Sequence, residues 1–326
     1  MNLDFSALKE SKNLLAFSAG IDSTALFFLL LKQNIQFDII IVNYNTREQS
    51  KKELQYAKDL AHKYKKNVFY KEVNILSKSN FEKTARDIRY SFFNEIIKRH
   101  SYNILITAHQ LNDKLEWFLM QLSKGAGLVE LFGFNEYEQK ASFKIYKPLL
   151  KVSKEELKNF LDQNNIKYFI DESNYEQKYK RNYFRHNFTD KFVNEYKNGV
   201  INSFDYLQKD ISSLNFTTST LFEIEDLEIF KNLDDENLNI RVIDLSLKKR
   251  GVLLSKAQRE EILKQKAIII SDKIAISIEK DYIWICPKST KIMDKKFKEK
   301  CRTKKIPKNI RAYIKEKEID LKDLMF

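Results

Sequence analysis

Apolar, β-rich runs alternate with segments of helical period through the first half of the chain. Residues 14–17, 37–42, 67–73 and 103–107 predict strands, and residues 22–33, 50–65 and 81–100 between them predict helices. Continuous apolar strands separated by helices predict a parallel sheet covered on both faces. Ligands of such sheets bind beyond the carboxyl ends of the strands, the level at which Ser18, Asn43 and the stretch from Thr107 to His109 fall. A second sheet-and-helix piece is expected over residues 143–192, where Ser153 and Glu156 form a capping-box pattern that starts a helix over residues 154–164. Residues 203–226, richer in Ser, Thr, Asn and acidic side chains, are expected to hold the hinge into a separate C-terminal unit. That unit carries helical patterns at 238–247 and after Ser255, and strand patterns around 267–279 and 282–286.

Composition narrows the class. A chain of 326 residues can form two or three domains with a substantial core. Its two cysteines, Cys286 and Cys301, form no CxxC pair, which argues against a disulfide framework, a zinc ribbon or an iron–sulfur site and predicts a reducing, cytoplasmic setting. Apolar runs fall short of the roughly 20 residues of a membrane span, and the first residues lack a basic stretch followed by an apolar core, so neither membrane insertion nor export is expected. Net charge is +13, and the stretch from Lys288 onward holds 14 basic and 6 acidic residues. This surplus predicts an anionic partner, although abundant Lys, Asn and Ile beside only 6 Gly and 3 Pro show that compositional bias contributes.

Ser18-Ala19-Gly20-Ile21-Asp22-Ser23 joins the first predicted strand to the first predicted helix. Small side chains let the backbone close around an anion, and the free N–H groups and partial positive charge of a helix start hold it. All six are candidate nucleotide-binding residues, and Asp22 is also a candidate Mg²⁺ ligand. The loop lacks the Lys and the spacing of a Walker A motif, which makes it ill suited to γ-phosphate transfer. It resembles instead the SGGxDS loop of the N-type ATP pyrophosphatases, with Ala19 where that family usually has Gly.

Further motifs extend the resemblance. His109-Gln110-Leu111-Asn112-Asp113-Lys114-Leu115-Glu116, followed by Lys124-Gly125-Ala126-Gly127, resembles the signature HxxDDQxET…LxRGxG. His109 and Asp113 stand four apart, so on a helix they would share a face. Asn112 replaces the first Asp of the usual pair and Lys114 replaces Gln, which leaves Asp113 as the candidate essential carboxylate. Thr84 to Phe93 is similar to ARxxRYxFF, placing Arg86 and Arg89 three apart on one helix face, where their guanidinium forks can grip phosphate or carboxylate. Lys147-Pro148-Leu149-Leu150, Asp171-Glu172-Ser173-Asn174 and Arg181-Asn182-Tyr183-Phe184-Arg185-His186 then match RPLL, DxSN and RNxxRH in order. Asn43-Tyr44-Asn45-Thr46-Arg47 departs from the usual NHGLR. Over roughly residues 10–195 the chain resembles the tRNA(Ile)-lysidine synthetases. Beyond that the resemblance is weak, resting on a KK…KxP…R pattern from Lys295 to Arg311.

That resemblance implies an α/β protein: a Rossmann-like, parallel-sheet N-type ATP pyrophosphatase domain over residues 1–200 with a helical extension from about 150, a linker at 201–225, and a smaller α+β, tRNA-binding domain with a basic tail over 226–326. It implies ATP and Mg²⁺ as cofactors, and L-lysine and tRNA(Ile) with a CAU anticodon as partners, in a homodimer. The wobble cytidine would be adenylated, with loss of pyrophosphate, and lysine would then displace AMP. Ser18 to Ser23 would hold the pyrophosphate end, Arg89 and Arg181 would offset charge on the α-phosphate or orient the cytidine, and His109 and Asp113 would bind lysine, either being able to take its proton. Two other readings stand beside it: another tRNA-modifying member of the superfamily, such as a thiolase, which needs cysteine chemistry, and a non-catalytic tRNA-binding protein whose ATP site has decayed at Ala19, Asn112 and Lys114.

Overall fold

The computed structural model describes residues 3–46, 48–75, 81–170, 180–213 and 220–324. The chain divides into two compact units, Met1–Ser213 and Leu214–Phe326. In the first, the elements run β1 (Asn13–Ala16), α1 (Ile21–Lys32), β2 (Phe37–Asn43), α2 (Gln49–Lys63), β3 (Val68–Glu72), α3 (Phe81–His100), β4 (Ile104–Ile106), α4 (Leu111–Leu122), α5 (Leu128–Leu131), β5 (Tyr137–Gln139), β6 (Lys144–Tyr146), α6 (Lys154–Gln163), α7 (Lys180–Phe184) and α8 (Asp190–Ser213). A π-helical turn, Arg185–Thr189, joins α7 to α8.

The sheet order is β3-β2-β1-β4-β6-β5, parallel throughout except for the edge hairpin partner β5. Alternation along each strand divides its side chains between two cores. Leu15, Ile39, Ile41 and Ile106 pack with Leu26 of α1, Ala57 of α2 and Leu157 of α6. Leu14, Ile40, Leu105 and Ile145 pack on the opposite side against Phe92, Phe93, Ile96 and Ile97 of α3. Burial on both faces explains why these strands read as continuous apolar runs. The chain builds outward from β1 through β2 to β3, then crosses to the other side of β1 to lay down β4. This reversal opens a crevice at the carboxyl ends of β1 and β4. The predicted capping box at α6 forms: Ser153 Oγ accepts from the Glu156 N–H at 3.3 Å, and Glu156 Oε2 accepts from the Ser153 N–H at 2.8 Å.

The second unit contains β7 (Phe222–Ile224), β8 (Leu227–Lys231), α9 (Glu236–Lys249), α10 (Lys256–Gln265), β9 (Ala267–Ile270), β10 (Ile274–Ile278), β11 (Tyr282–Pro287), α11 (Lys295–Thr303) and α12 (Arg311–Glu316). Its antiparallel sheet, β7-β8-β11-β10-β9, is covered on both faces. Ile283 and Ile285 of β11 meet Ile243, Leu247 and Ile262 of α9 and α10. Trp284 and Cys286 meet Cys301, Ile306, Ile310, Tyr313 and Ile314. The basic segment is thus folded, with its apolar stripe built into the core and its lysines outward. Among the described residues, no helix is long and apolar enough to cross a membrane.

Candidate active site

The loop after β1 is held by Ser23 and by Phe169. Ser23 Oγ lies 3.0 Å from Ser18 Oγ and accepts from the Ser18 N–H at 3.1 Å, while the Ala19 carbonyl accepts from the Phe169 N–H at 2.9 Å. Ala19 is fully buried at φ +61°, the left-handed region in which a Cβ is strained, so this loop adopts the backbone of the glycine usual there and bears the cost. Gly20 caps α1 in extended conformation without a side-chain hydrogen bond. The N–H groups of Ile21, Asp22 and Ser23, in the first turn, have no intrahelical partner, so they are donors that an anion could use.

Asp22 projects from that turn. Its Oδ1 is buried and, among the described residues, has no hydrogen-bond partner. Burial and the charge of Asp113 push its carboxyl up to about 7, against the opposing pull of Lys154 and Arg185; Asp190 adds to the rise. A buried carboxylate short of positive charge fits a divalent cation. No group of three or more His, Cys, Asp or Glu side chains among the described residues forms a metal cage by itself, so Asp22 would share such an ion with phosphate oxygens.

Asp113 and Glu116 face the π-helical turn. Arg181 donates from Nη2 to Asp113 Oδ1 at 3.2 Å and from Nε to Glu116 Oε1; Arg185 donates from Nη2 to Asp113 Oδ1 at 3.1 Å and from Nε to Glu116 Oε2 at 2.9 Å. Burial raises the Asp113 carboxyl, but Arg181 and Arg185, with His109, outweigh it and hold the pKa below the usual value. Asp113 is therefore ionised at neutral pH and a weak proton acceptor. For Glu116, burial prevails over the two arginines and raises the pKa. Asn112, next to Asp113, donates from Nδ2 to Asp190 Oδ1 at 2.7 Å and accepts from the Lys154 N–H at 3.2 Å. An Asp there would set a second carboxylate against Asp190, which gives this departure from the usual pair a structural reason.

His109 does not share a helix face with Asp113: α4 begins at Leu111, Gln110 is its cap, and His109 precedes it in the loop after β4. That loop, not an i,i+4 repeat, brings the two together. Its Nδ1 lies 2.9 Å from Thr107 Oγ1, and its ring meets Phe134 edge-on with centroids 5.1 Å apart. Burial drives its pKa down to about 4; Asp113 resists, while Lys147, Arg181 and Arg89 reinforce the fall. The imidazole is neutral at pH 7. Arg89, exposed on α3, acts by its charge on both His109 and Tyr44, whose hydroxyl donates to the Ala85 carbonyl at 2.7 Å. Arg86 lies over the Tyr90 ring, 5.2 Å from its centroid.

The crevice thus gathers Asp22, His109, Asp113 and Arg181, with Arg89 within electrostatic range. The motifs contain Glu116 and Arg185 without marking a role for either, and Lys154 belongs to none of the site motifs. For the first two the signal is spacing: Glu116 lies three residues beyond Asp113 on α4, and Arg185 lies four beyond Arg181. Arg47 and the stretch Asp171-Glu172-Ser173-Asn174 lie outside the described residues.

A phosphate-binding helix start, a sheet reversal and a buried acid–arginine cluster define a PP-loop ATP-binding protein, and the family described as a PP-loop domain matches residues 2–192. The chain is 43% identical over 320 residues to a tRNA(Ile)-lysidine synthase of Campylobacter jejuni (strain RM1221), covering 98% of this chain and 97% of the relative. It is 42% identical over 310 residues to a tRNA(Ile)-lysidine synthase of Helicobacter pylori (strain ATCC 700392 / 26695), covering 94% and 90% respectively. The chain belongs to the tRNA(Ile)-lysidine synthase family. The solved structure of the U34-tRNA thiolase NcsA from Methanococcus maripaludis with its 4Fe-4S cluster is similar in fold, with a TM-score of 0.53 at 18% identity over 64% of this chain and 75% of that one.

Proposed function

We propose that this chain joins free L-lysine to C2 of the wobble cytidine of tRNA(Ile) with a CAU anticodon, using ATP and Mg²⁺ and releasing AMP and pyrophosphate. The observation that supports the reading is that β1 and β4, which lead into the turn of Asp22 and into the acid–arginine cluster, are parallel neighbours in the sheet, with Asp22 and Asp113 close enough to act on each other by charge. The start of α1 would hold the pyrophosphate end of ATP, with Asp22 and phosphate oxygens holding Mg²⁺. The ion, when bound, offsets phosphate charge and eases the departure of pyrophosphate.

In the first step, the cytosine O2 attacks the α-phosphorus as its bond to pyrophosphate breaks. Arg181, half exposed while it grips Asp113 and Glu116, and Arg89 would offset the charge that gathers on the α-phosphate. In the second, the neutral ε-amine of lysine forms a bond to C2, the C2–O bond breaks, and AMP leaves with that oxygen. Ionised Asp113 would orient the amine, and His109, unprotonated at neutral pH, would take the proton released from it. The exposed lysines of α11 and of the turn after it, Lys296, Lys298, Lys300 and Lys305 among them, would contact tRNA phosphates. Cys286 and Cys301 are buried in the core of the second unit, which disfavours a thiolase reading. A homodimer and a cytoplasmic setting complete the proposal.

The test is to incubate the protein with ATP, lysine and an unmodified tRNA(Ile) transcript, then identify the nucleoside at the wobble position by mass spectrometry. Lysidine formed only when all three are present is the expected result. An unmodified cytidine, with the ATP intact, would refute the reading.

A further inference from the structure

Around the π-helical turn and the start of α8, four aromatic side chains stand out in solvent: Tyr183, Phe188, Phe192 and Tyr196, each between 46% and 51% exposed. Phe188 stands in the π-helical turn, and Phe192 and Tyr196 follow at intervals of four residues in α8, which kinks at Tyr196. The rings form two groups: Phe188 lies 5.9 Å from Tyr183 and 5.8 Å from Phe184, and Phe192 lies 5.1 Å from Tyr196. The next residue after each of Phe188 and Phe192, Thr189 and Val193 respectively, is buried. The core therefore does not account for the stripe. It also continues directly from α7, which carries Arg181, and the turn that carries Arg185, and so from the wall of the crevice.

We propose that this stripe is a stacking platform for the unpaired bases of a single-stranded RNA loop, holding that loop beside the crevice while one of its bases enters. The proposal rests on the tRNA reading above. A base drawn out of a loop leaves its neighbours without stacking partners, and exposed aromatic faces replace them without regard to sequence. The chemistry of the surface favours RNA over a protein partner: between residues 183 and 196 the exposed apolar side chains are all aromatic, interspersed with exposed Asn187, Lys191, Asn194 and Glu195 rather than with aliphatic residues. Lys180 lies over the Phe184 ring, 5.8 Å from its centroid, at the end nearest the crevice, where a phosphate would meet it.

The test compares wild type with Phe188→Ala/Phe192→Ala and with Phe192→Trp. It uses the full chain, an anticodon stem-loop RNA, and the same stem closed by a short unrelated tetraloop. The double variant should bind the stem-loop about tenfold or more weakly and raise the tRNA KM to match, while the ATP KM and binding to the tetraloop stem stay the same; Phe192→Trp should retain binding. If wild type makes lysidine and the double variant binds the stem-loop unchanged, the platform is refuted and the enzymatic reading stands. If wild type binds the stem-loop but makes no lysidine, the enzymatic reading fails while the platform is still judged by the variants. A double variant that loses thermal stability or changes oligomeric state with RNA binding intact would show that the stripe seats another part of the protein or a second copy, and would overturn the proposal.

Discussion

Arg185 spans the two acidic side chains of α4, donating from Nη2 to Asp113 Oδ1 at 3.1 Å and from Nε to Glu116 Oε2 at 2.9 Å. The Arg185 side chain is 11% exposed and that of Glu116 2%, whereas Arg181, which bonds the same two acids, is 51% exposed. Removing one partner of a buried pair leaves an uncompensated charge, and removing a solvated one costs much less. Arg185→Met should therefore cost about 3 kcal/mol of stability or more, and Arg181→Met about 1 kcal/mol, in urea denaturation. Equal losses would contradict the division between a structural and a solvent-facing arginine.

Asp113 is held ionised by those arginines, and its assigned partner is the amine rather than ATP. Replacing it with Asn keeps the volume and removes the charge. Lysine transfer should fall about a hundredfold more than tRNA-dependent ATP–pyrophosphate exchange, the contribution expected of a group needed in the second step alone. Parallel loss of both activities would remove Asp113 from that role.

His109 binds its proton only near pH 4 in the folded chain, against about 6.5 when unfolded. Between these values the unfolded state holds the extra proton, so stability is fully present above pH 6.5, falls with pH through this window and levels off below about 4. The loss is about 3 kcal/mol. His109→Gln should flatten that part of the stability profile. An NMR titration in which the His109 imidazole protonates near pH 6.5 would disprove the burial argument.

Ala19 carries a positive φ that glycine adopts at no cost. Ala19→Gly relieves about 1–2 kcal/mol of backbone strain and gives back about 0.4–1 kcal/mol through a more flexible unfolded chain. A net gain of about 0.5–1 kcal/mol in thermal or urea unfolding is expected, with ATP affinity equal or better. A clear loss of stability would mean that the methyl group packs usefully in its buried position.

The basic surface of α11 can be tested by charge and not by deletion, because Cys301, Ile306 and Ile310 of the same segment are core residues. Replacing Lys296, Lys298, Lys300 and Lys305 with Gln should raise the tRNA KM and flatten its dependence on salt by roughly 0.7–0.9 for each phosphate left without its lysine. The ATP KM should not change. An unaltered salt dependence would leave these lysines as solvated surface.

What is legible in the sequence follows from the range of each signal. The strands at β1 to β4 and the helices at α1, α2 and α3 fall within a few residues of the spans that periodicity predicts, because a helix or strand stripe is written within a dozen neighbouring residues. The capping box at Ser153 and the helix start at Ser255 are equally local. The long helix α8 escapes the pattern, since its polar residues read as a hinge. The strands β7 and β8, whose pattern is short, escape it too. Glu116 and Arg185 are present in their motifs, but nothing in either motif says that they meet.

By itself the sequence determined the alternating architecture, the anion-binding loop between β1 and α1, and the family, since each depends on spacing within a short stretch or on ordered motifs. Only the tertiary structure decided that His109 stands outside α4 and stays neutral, that Asp22 has a buried oxygen without a hydrogen-bond partner among the described residues, and that two arginines far along the chain fix Asp113 and Glu116. The reason is physical: charge interaction and desolvation depend on which groups packing brings together, and chain spacing does not record it.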